Sequence, residues 1–330
     1  MKVRLALLLV VVIAAVAGGA YAYIQSQQVD GPLTGESVGR NIASQRPIAV
    51  MLDNISPDAR PQSGLDRASL VFETLAEGGI TRFMAVYLEH EAPVVGPVRS
   101  TRLYYNSWAA GLGVIFGHDG GNVDALQELK TLNTIFNVDN DRVSGPFYRV
   151  STRLAPHNEY TSTESLRQFA QAHGDGAGSS RMNIPHKDDA PLSQRPATFD
   201  LQVQFSSSDY NVAWSYDRQS NSYLRSMGGV PHVDAVTGHQ LTAKNVVVML
   251  TDESPGYDPF TTGAIKLRTE GTGQALIYED GRVIKGIWSK AGVQDPLRWL
   301  DASGNPIALN RGSTWVEVVP KGNSVTSTSG

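Results

Sequence analysis

The densest group of side chains capable of chemistry lies in the first half of the sequence. Glu73 and Glu77 precede the pair Gly78-Gly79, and Arg82 follows it. Arg99 and Arg102 then stand three apart in Val98-Arg99-Ser100-Thr101-Arg102. With Pro97 at a helix start, these two arginines share one face at the N-terminal end of that helix. Cations there oppose the helix dipole, so an anion or a carboxylate beside them relieves a local cost. Two guanidinium forks clamp a phosphate or a carboxylate bidentately. The competing reading makes Glu73 and Glu77 those carboxylates, in an internal salt-bridge network. A second group is His118-Asp119-Gly120-Gly121-Asn122, between a short apolar strand and a helix for which Asn122 is the N-cap. Exposed N–H groups at such a junction favour anions; the alternative is a sharp turn with a surface histidine. The expected site combines Arg82, Arg99, Arg102 and His118, with Glu73 and Glu77 as orienting or competing carboxylates.

Other chemistries find less support. No Gly-Lys-Ser/Thr completes a phosphate loop, and no full Gly-x-Gly-x-x-Gly is present. His157, in Pro156-His157-Asn158-Glu159-Tyr160, reads as a turn residue with a satisfied ring, or else as a ligand contact. A serine hydrolase would use Ser100, with His118 or His157 as base and an aspartate as orienter. Neither Gly-x-Ser-x-Gly nor Ser-x-x-Lys supports it. His232 and Asp234 are too few for a metal site, and His-Glu-x-x-His is absent. No metal, cofactor or catalytic residue is expected.

The elements that must position these residues follow from pattern. Ile48 to Leu52 is a continuous apolar run that reads as a buried strand. Two apolar stretches, 68–76 and 80–88, flank Gly78-Gly79 as a hairpin, though the first also suits a helix. A helix is expected over 99–110, a strand over 114–116, and helices from Asn122 to Lys130 and from Thr163 to Ala172. After Phe199 short alternating runs separated by turn residues read as mostly antiparallel β. The first 24 residues carry Lys2 and Arg4, then an uncharged run from Leu5 to Ile24. That run of about 20 residues is long enough to span a bilayer, with the remainder outside the cytoplasm. Ala20-Tyr21-Ala22 also fits cleavage of a signal peptide. The organisation is then a signal peptide or N-terminal membrane anchor (1–24), a polar tether (25–45), an α+β N-terminal domain (46–172), a linker (173–198), a β-rich C-terminal domain (199–321) and a disordered tail (322–330).

Composition narrows the function. The chain has 330 residues with a net charge of −4, which does not suit a nucleic-acid binder. Its 0 cysteines exclude disulfides, thiol nucleophiles, thiolate zinc sites and a lipidated cysteine.

Several longer motifs carry a resemblance. Residues 46–54 (Arg-Pro-Ile-Ala-Val-Met-Leu-Asp-Asn), residues 59–65, Glu77-Gly78-Gly79-Ile80-Thr81-Arg82-Phe83 and Gly96-Pro97-Val98-Arg99-Ser100 resemble the YerB-like bacterial envelope lipoproteins, a family of unknown function. Residues 229–234, 245–248, 271–275 and 312–316 extend the likeness over roughly 46–320. The resemblance implies an α+β fold, a mixed sandwich of two sheet layers plus helices. It implies no activity, cofactor or catalytic residue. Many members carry a lipobox cysteine that this chain lacks, so any membrane attachment falls to Leu5–Ile24. The expectation is a membrane-tethered extracytoplasmic binding or scaffold protein for an anionic or carboxylate-bearing ligand, such as a cell-wall fragment or a peptide. The alternatives are a hydrolase of envelope polymers and a structural partner of another envelope protein.

Overall fold

The run Ile48–Leu52 is buried along its whole length, as a continuous apolar strand between two covered faces must be. It lies in a 10-stranded mixed sheet of the computed structural model, which describes residues 27–175 and 178–329. From one edge the strands are Arg298–Leu300, Arg282–Lys290, Gly271–Glu279, Asn245–Thr251, Thr314–Pro320, Leu70–Leu75, Thr81–Tyr87, Ile48–Leu52, Ile115–His118 and Phe136–Asp139. Thr314–Pro320 pairs in parallel with both Asn245–Thr251 and Leu70–Leu75, so the two halves of the chain share this sheet. The strands Ile48–Leu52, Leu70–Leu75, Ile115–His118, Phe136–Asp139, Asn245–Thr251 and Thr314–Pro320 all run in one direction. Their carboxyl ends therefore meet along one edge of the sheet.

One face is covered by a second, antiparallel sheet containing Phe199–Gln204, Asn211–Asp217 and Ser222–Met227. Side chains alternate along each strand. Phe83, Trp315 and Val248 thus meet Leu201, Trp214 and Tyr223 between the sheets, and the helix Thr163–Ala172 adds Leu166 and Ala170. The other face meets the helix Leu103–Leu112, which buries every residue from Tyr104 to Leu112. Phe72 stacks on Trp108 at a centroid distance of 5.1 Å. The architecture is the α+β sandwich of two sheet layers plus helices, with a mostly antiparallel C-terminal half.

The Gly78-Gly79 hairpin forms as expected, joining Leu70–Leu75 to Thr81–Tyr87; both glycines adopt positive φ (70° and 75°), which the missing Cβ permits. Four expectations differ. The helix begins at Leu103, not after Pro97, because residues 97–101 are extended: Val98 bridges Leu52, and the Arg99 amide donates to the Met51 carbonyl. The polar stretch 25–45 carries a hairpin, Gln28–Asp30 with Ser37–Gly39, and a helical turn, Arg40–Ala43. Leu33 at the hairpin turn is fully buried, and Glu89 accepts from the Leu33 and Thr34 amides at 2.9 and 3.2 Å. Within 173–198, His186–Lys187 pairs with Leu309–Asn310. In the tail, Val325–Ser329 is an edge strand beside Phe199–Gln204. Residues 1–24 lie outside the described residues.

Candidate functional site

Asp53 follows the buried strand Ile48–Leu52, and the register Leu52↔Phe83 of the antiparallel neighbour sets Arg82 across from it. Glu77 sits in the hairpin turn, and the extended 97–102 segment brings Arg99 and Arg102 over the same sheet end. Asp53 Oδ2 accepts from Arg99 Nε at 3.1 Å and pairs with His157 Nδ1 at 2.7 Å. Arg102 meets Glu77 bidentately, through Nε and through Nη2 to Oε2 at 2.6 Å. Arg82 Nη1 donates to the Ser100 carbonyl at 3.0 Å, while its Nε is buried with no acceptor among the described residues. Three guanidiniums thus converge on two carboxylates.

The electrostatics follow from this crowding. Burial lowers the pKa of Arg82 to about 10, and the charges of Arg102 and Arg99 push the same way against Glu77 and Asp53. Burial alone would raise Asp53, but Arg82, Arg99 and the bond from His157 hold it below the usual carboxylate range. Glu77 is likewise lowered, the Arg102 bond and charge outweighing its desolvation. Both acids stay ionised, and the corner keeps a surplus of positive charge.

Of the residues expected here, Arg82, Arg99, Arg102 and Glu77 come together. Glu73 and His118 do not. Arg99 and Arg102 share no helix face; Arg102 is the extended residue just before the helix, with φ −140° and ψ 159°. Glu77 supplies the carboxylate that a cation at that helix end calls for. Glu73 lies one position out of phase with Thr74, which pairs with Arg82, so it points to the opposite face of the sheet. His118 is fully buried, with Nδ1 2.8 Å from the Gly120 carbonyl and Nε2 2.7 Å from Asn137 Oδ1. Those short local bonds turn it into the fold. Among the described residues, no hydrogen bond joins Ser100 to His118 or His157. Residue types and spacing alone do not single out Asp53, and they leave His157 between a turn residue and a ligand contact. The signal for Asp53 was available, since the Gly78-Gly79 hairpin and the next strand place a carboxylate opposite Arg82.

Glu73 belongs to a different construction. Between the two sheets Arg225 bonds Glu73 through Nη2 and Glu317 through Nη1 at 2.9 Å, all three fully buried. Its guanidinium lies 4.3 Å from the Trp315 ring centroid and 5.1 Å from that of Trp214. The Trp214 indole donates to Glu317 Oε1 at 2.9 Å. Arg225 Nε donates to His232 Nδ1 at 3.0 Å, and His232 Nε2 faces Gln62 Oε1 at 2.8 Å. Burial, then the Arg225 charge, holds the His232 pKa far below its ordinary value, so the ring stays neutral. One guanidinium serves two carboxylates here, and desolvation raises Glu317.

A family model described as the N-terminal domain of a protein of unknown function (DUF3048) matches residues 33–176. The corresponding C-terminal domain matches residues 201–316. YerB of Bacillus subtilis (strain 168), a candidate lipoprotein by its name, is 29% identical over 304 residues, covering 89% of this chain and 87% of that protein. The crystal structure of YerB from Bacillus subtilis superimposes with a TM-score of 0.80 at 27% identity, covering 91% of this chain and 99% of that one. With both parts matched in order and the same fold around them, the chain belongs to this YerB-like family of unknown function, DUF3048.

Proposed function

We propose that this chain is a membrane-tethered, extracytoplasmic protein of the cell envelope that binds an anionic or carboxylate-bearing ligand without transforming it. Its relative's name as a candidate lipoprotein and the charged-then-apolar residues 1–24 support the location. Among the described residues no helix is long and apolar enough to cross a membrane, so attachment falls to that segment. The observation that carries the binding role is the arginine corner. Among the described residues, Asp53 and Glu77 are the carboxylates that act on Arg82 and bond Arg99 and Arg102, and Arg99 bonds Asp53 through Nε alone. A cell-wall fragment or a peptide terminus supplies the third negative charge.

The experiment is thermal unfolding of the full-length chain with inorganic phosphate, acetate and purified muropeptides, beside an Arg99→Gln variant. At least one anion raises the wild-type midpoint in proportion to the logarithm of its concentration, and the variant loses most of that rise. A rise identical in both proteins, or none in the wild type, sinks the site. The hydrolase reading draws on one observation, the 2.7 Å Asp53–His157 pair, which supplies an oriented base. Among the described residues no nucleophile is bonded to that base. Release of new products from the muropeptides in the same samples would reinstate it.

A further inference from the structure

Asp53 does more in the arginine corner than balance a charge. Its Oδ1 accepts from the Ile55 amide at 3.1 Å, which orients the carboxylate. Its Oδ2 is then shared: Arg99 Nε donates to it at 3.1 Å, and the His157 ring meets it through Nδ1 at 2.7 Å. Both side chains are also held by their backbones. The Arg99 amide donates to the Met51 carbonyl and the His157 amide to the Leu154 carbonyl, each at 2.9 Å. The inner atoms of the two side chains are thereby used, and the outer atoms are not. Among the described residues Arg99 Nη1, Arg99 Nη2 and His157 Nε2 have no hydrogen-bond partner, and all three stay accessible from solvent. The Arg99 and His157 side chains keep 23% and 15% of their surface, against 4% for Asp53, so a ligand reaches the pair and not the acid between them.

The outer atoms differ in what they take. Arg99 Nη1 and Nη2 are neighbouring donors that match the two oxygens of a carboxylate. The His157 ring reads the opposite polarity. Asp53 stays ionised and can only accept, so the proton of a neutral ring sits on Nδ1 and Nε2 presents a lone pair. A second anionic oxygen is repelled there, whereas an O–H or N–H is bound. Both side chains converge on one oxygen, which keeps their outer atoms within reach of one small ligand. We infer that the corner takes a carboxylate whose adjacent carbon carries a hydroxyl or an amide N–H, with the carboxylate on Arg99 and the donor on His157 Nε2. Two sources supply this chemistry, an α-hydroxy acid and the C-terminal residue of a peptide. A phosphomonoester dianion and a plain fatty carboxylate offer no proton to the lone pair. His157 is thus a specificity residue that receives a hydrogen bond, and no covalent bond is broken. The inference rests on the anion-binding reading above and names its ligand class.

The test compares isosteres that differ only in the donor. They are titrated into isotope-labelled full-length chain at about pH 8, where a histidine ring is ordinarily neutral, and read by NMR. Glycolate is paired with propionate, in which a methyl replaces the hydroxyl. N-acetylglycine is paired with levulinate, in which a methylene replaces the amide N–H. In at least one pair the donor-bearing member should bind about threefold to tenfold more tightly, the worth of one hydrogen bond. A preference in the glycolate pair alone identifies a hydroxy acid, and one in the N-acetylglycine pair alone a peptide terminus. The Nε2 resonance of His157 is identified among the 7 histidines by its loss in His157→Asn. It should move when the preferred member binds and stay in place with that member's isostere. His157→Asn keeps a donor for Asp53 and removes the Nε2 lone pair, so in that variant the preference should disappear. Equal binding within both pairs overturns the inference and leaves the anion site standing. So does a preference that survives in His157→Asn, and so does one without movement of the Nε2 resonance. If none of the four binds, the anion-binding reading falls and the inference falls with it.

Discussion

Arg225 holds Glu73 and Glu317 together where neither can reach water, and the arrangement has a signature in pH. Glu317 has an ordinary value of 4.5, and burial, reinforced by Glu73 and opposed by Arg225, raises it to about 8 in the folded protein. The folded state therefore holds this proton more tightly than the unfolded chain does. The stabilisation is complete below pH 4.5 and is lost as pH rises through the folded value. Glu317→Gln keeps the shape and removes the titration. Its stability relative to wild type, measured by urea unfolding, should improve steadily between pH 5 and pH 8; a constant difference across that window would show that Glu317 does not carry the proton. What was legible at this scale was limited by parity and distance. The two-residue period of a strand already separates Glu73 from the residue paired with Arg82. Nothing local identifies Arg225, 152 positions away, as the partner of Glu73.

Elements were readable where their causes are local. The apolar run at Ile48–Leu52 and the paired glycines between Leu70–Leu75 and Thr81–Tyr87 declare themselves in sequence, and they position Asp53, Glu77 and Arg82. The segment after Pro97 did not, because its amides bond to Met51 and Glu159 rather than to its own next turn. The same cause hid the hairpin at Gln28–Gly39. Its composition is that of a tether, yet Leu33 inserts fully and the Leu33 and Thr34 amides are held by Glu89, 56 and 55 residues away. Amide exchange decides between the two. A tether exchanges at the rate of an unfolded chain, whereas these two amides should be protected nearly as long as those of Ile48–Leu52. Leu33→Ala should cost about 2–5 kcal/mol by urea unfolding, the range for emptying a buried leucine site. A cost near zero would return the segment to the tether.

The shared strand direction gives the molecule two unlike ends. Asp53, Glu77 and Arg82 stand where the co-directional strands finish. The hairpin turn stands where they begin, since Thr34 accepts from Gly312, just before Thr314–Pro320, and Leu33 donates to Glu89, just after Thr81–Tyr87. A strand of 7 residues separates the ends by roughly 20 Å. The strand Gln28–Asp30 starts four residues after Ile24, a span of at most about 14 Å. On the proposed anchoring of Leu5–Ile24 in a bilayer, the hairpin end would be held near the headgroups and the arginine corner would face outward. On that proposal a cell-wall fragment suits the anion site better than a lipid headgroup does. The cysteine-free chain makes the orientation measurable with single labels. Asp188, beside Arg311 and the hairpin, and Phe260, on the loop next to Gly78, are both strongly exposed. In liposomes carrying a headgroup-attached quencher, a fluorophore on Asp188→Cys should be quenched and one on Phe260→Cys should not. Stronger quenching at Phe260 would turn the arginines toward the membrane and make an anionic lipid the ligand to test.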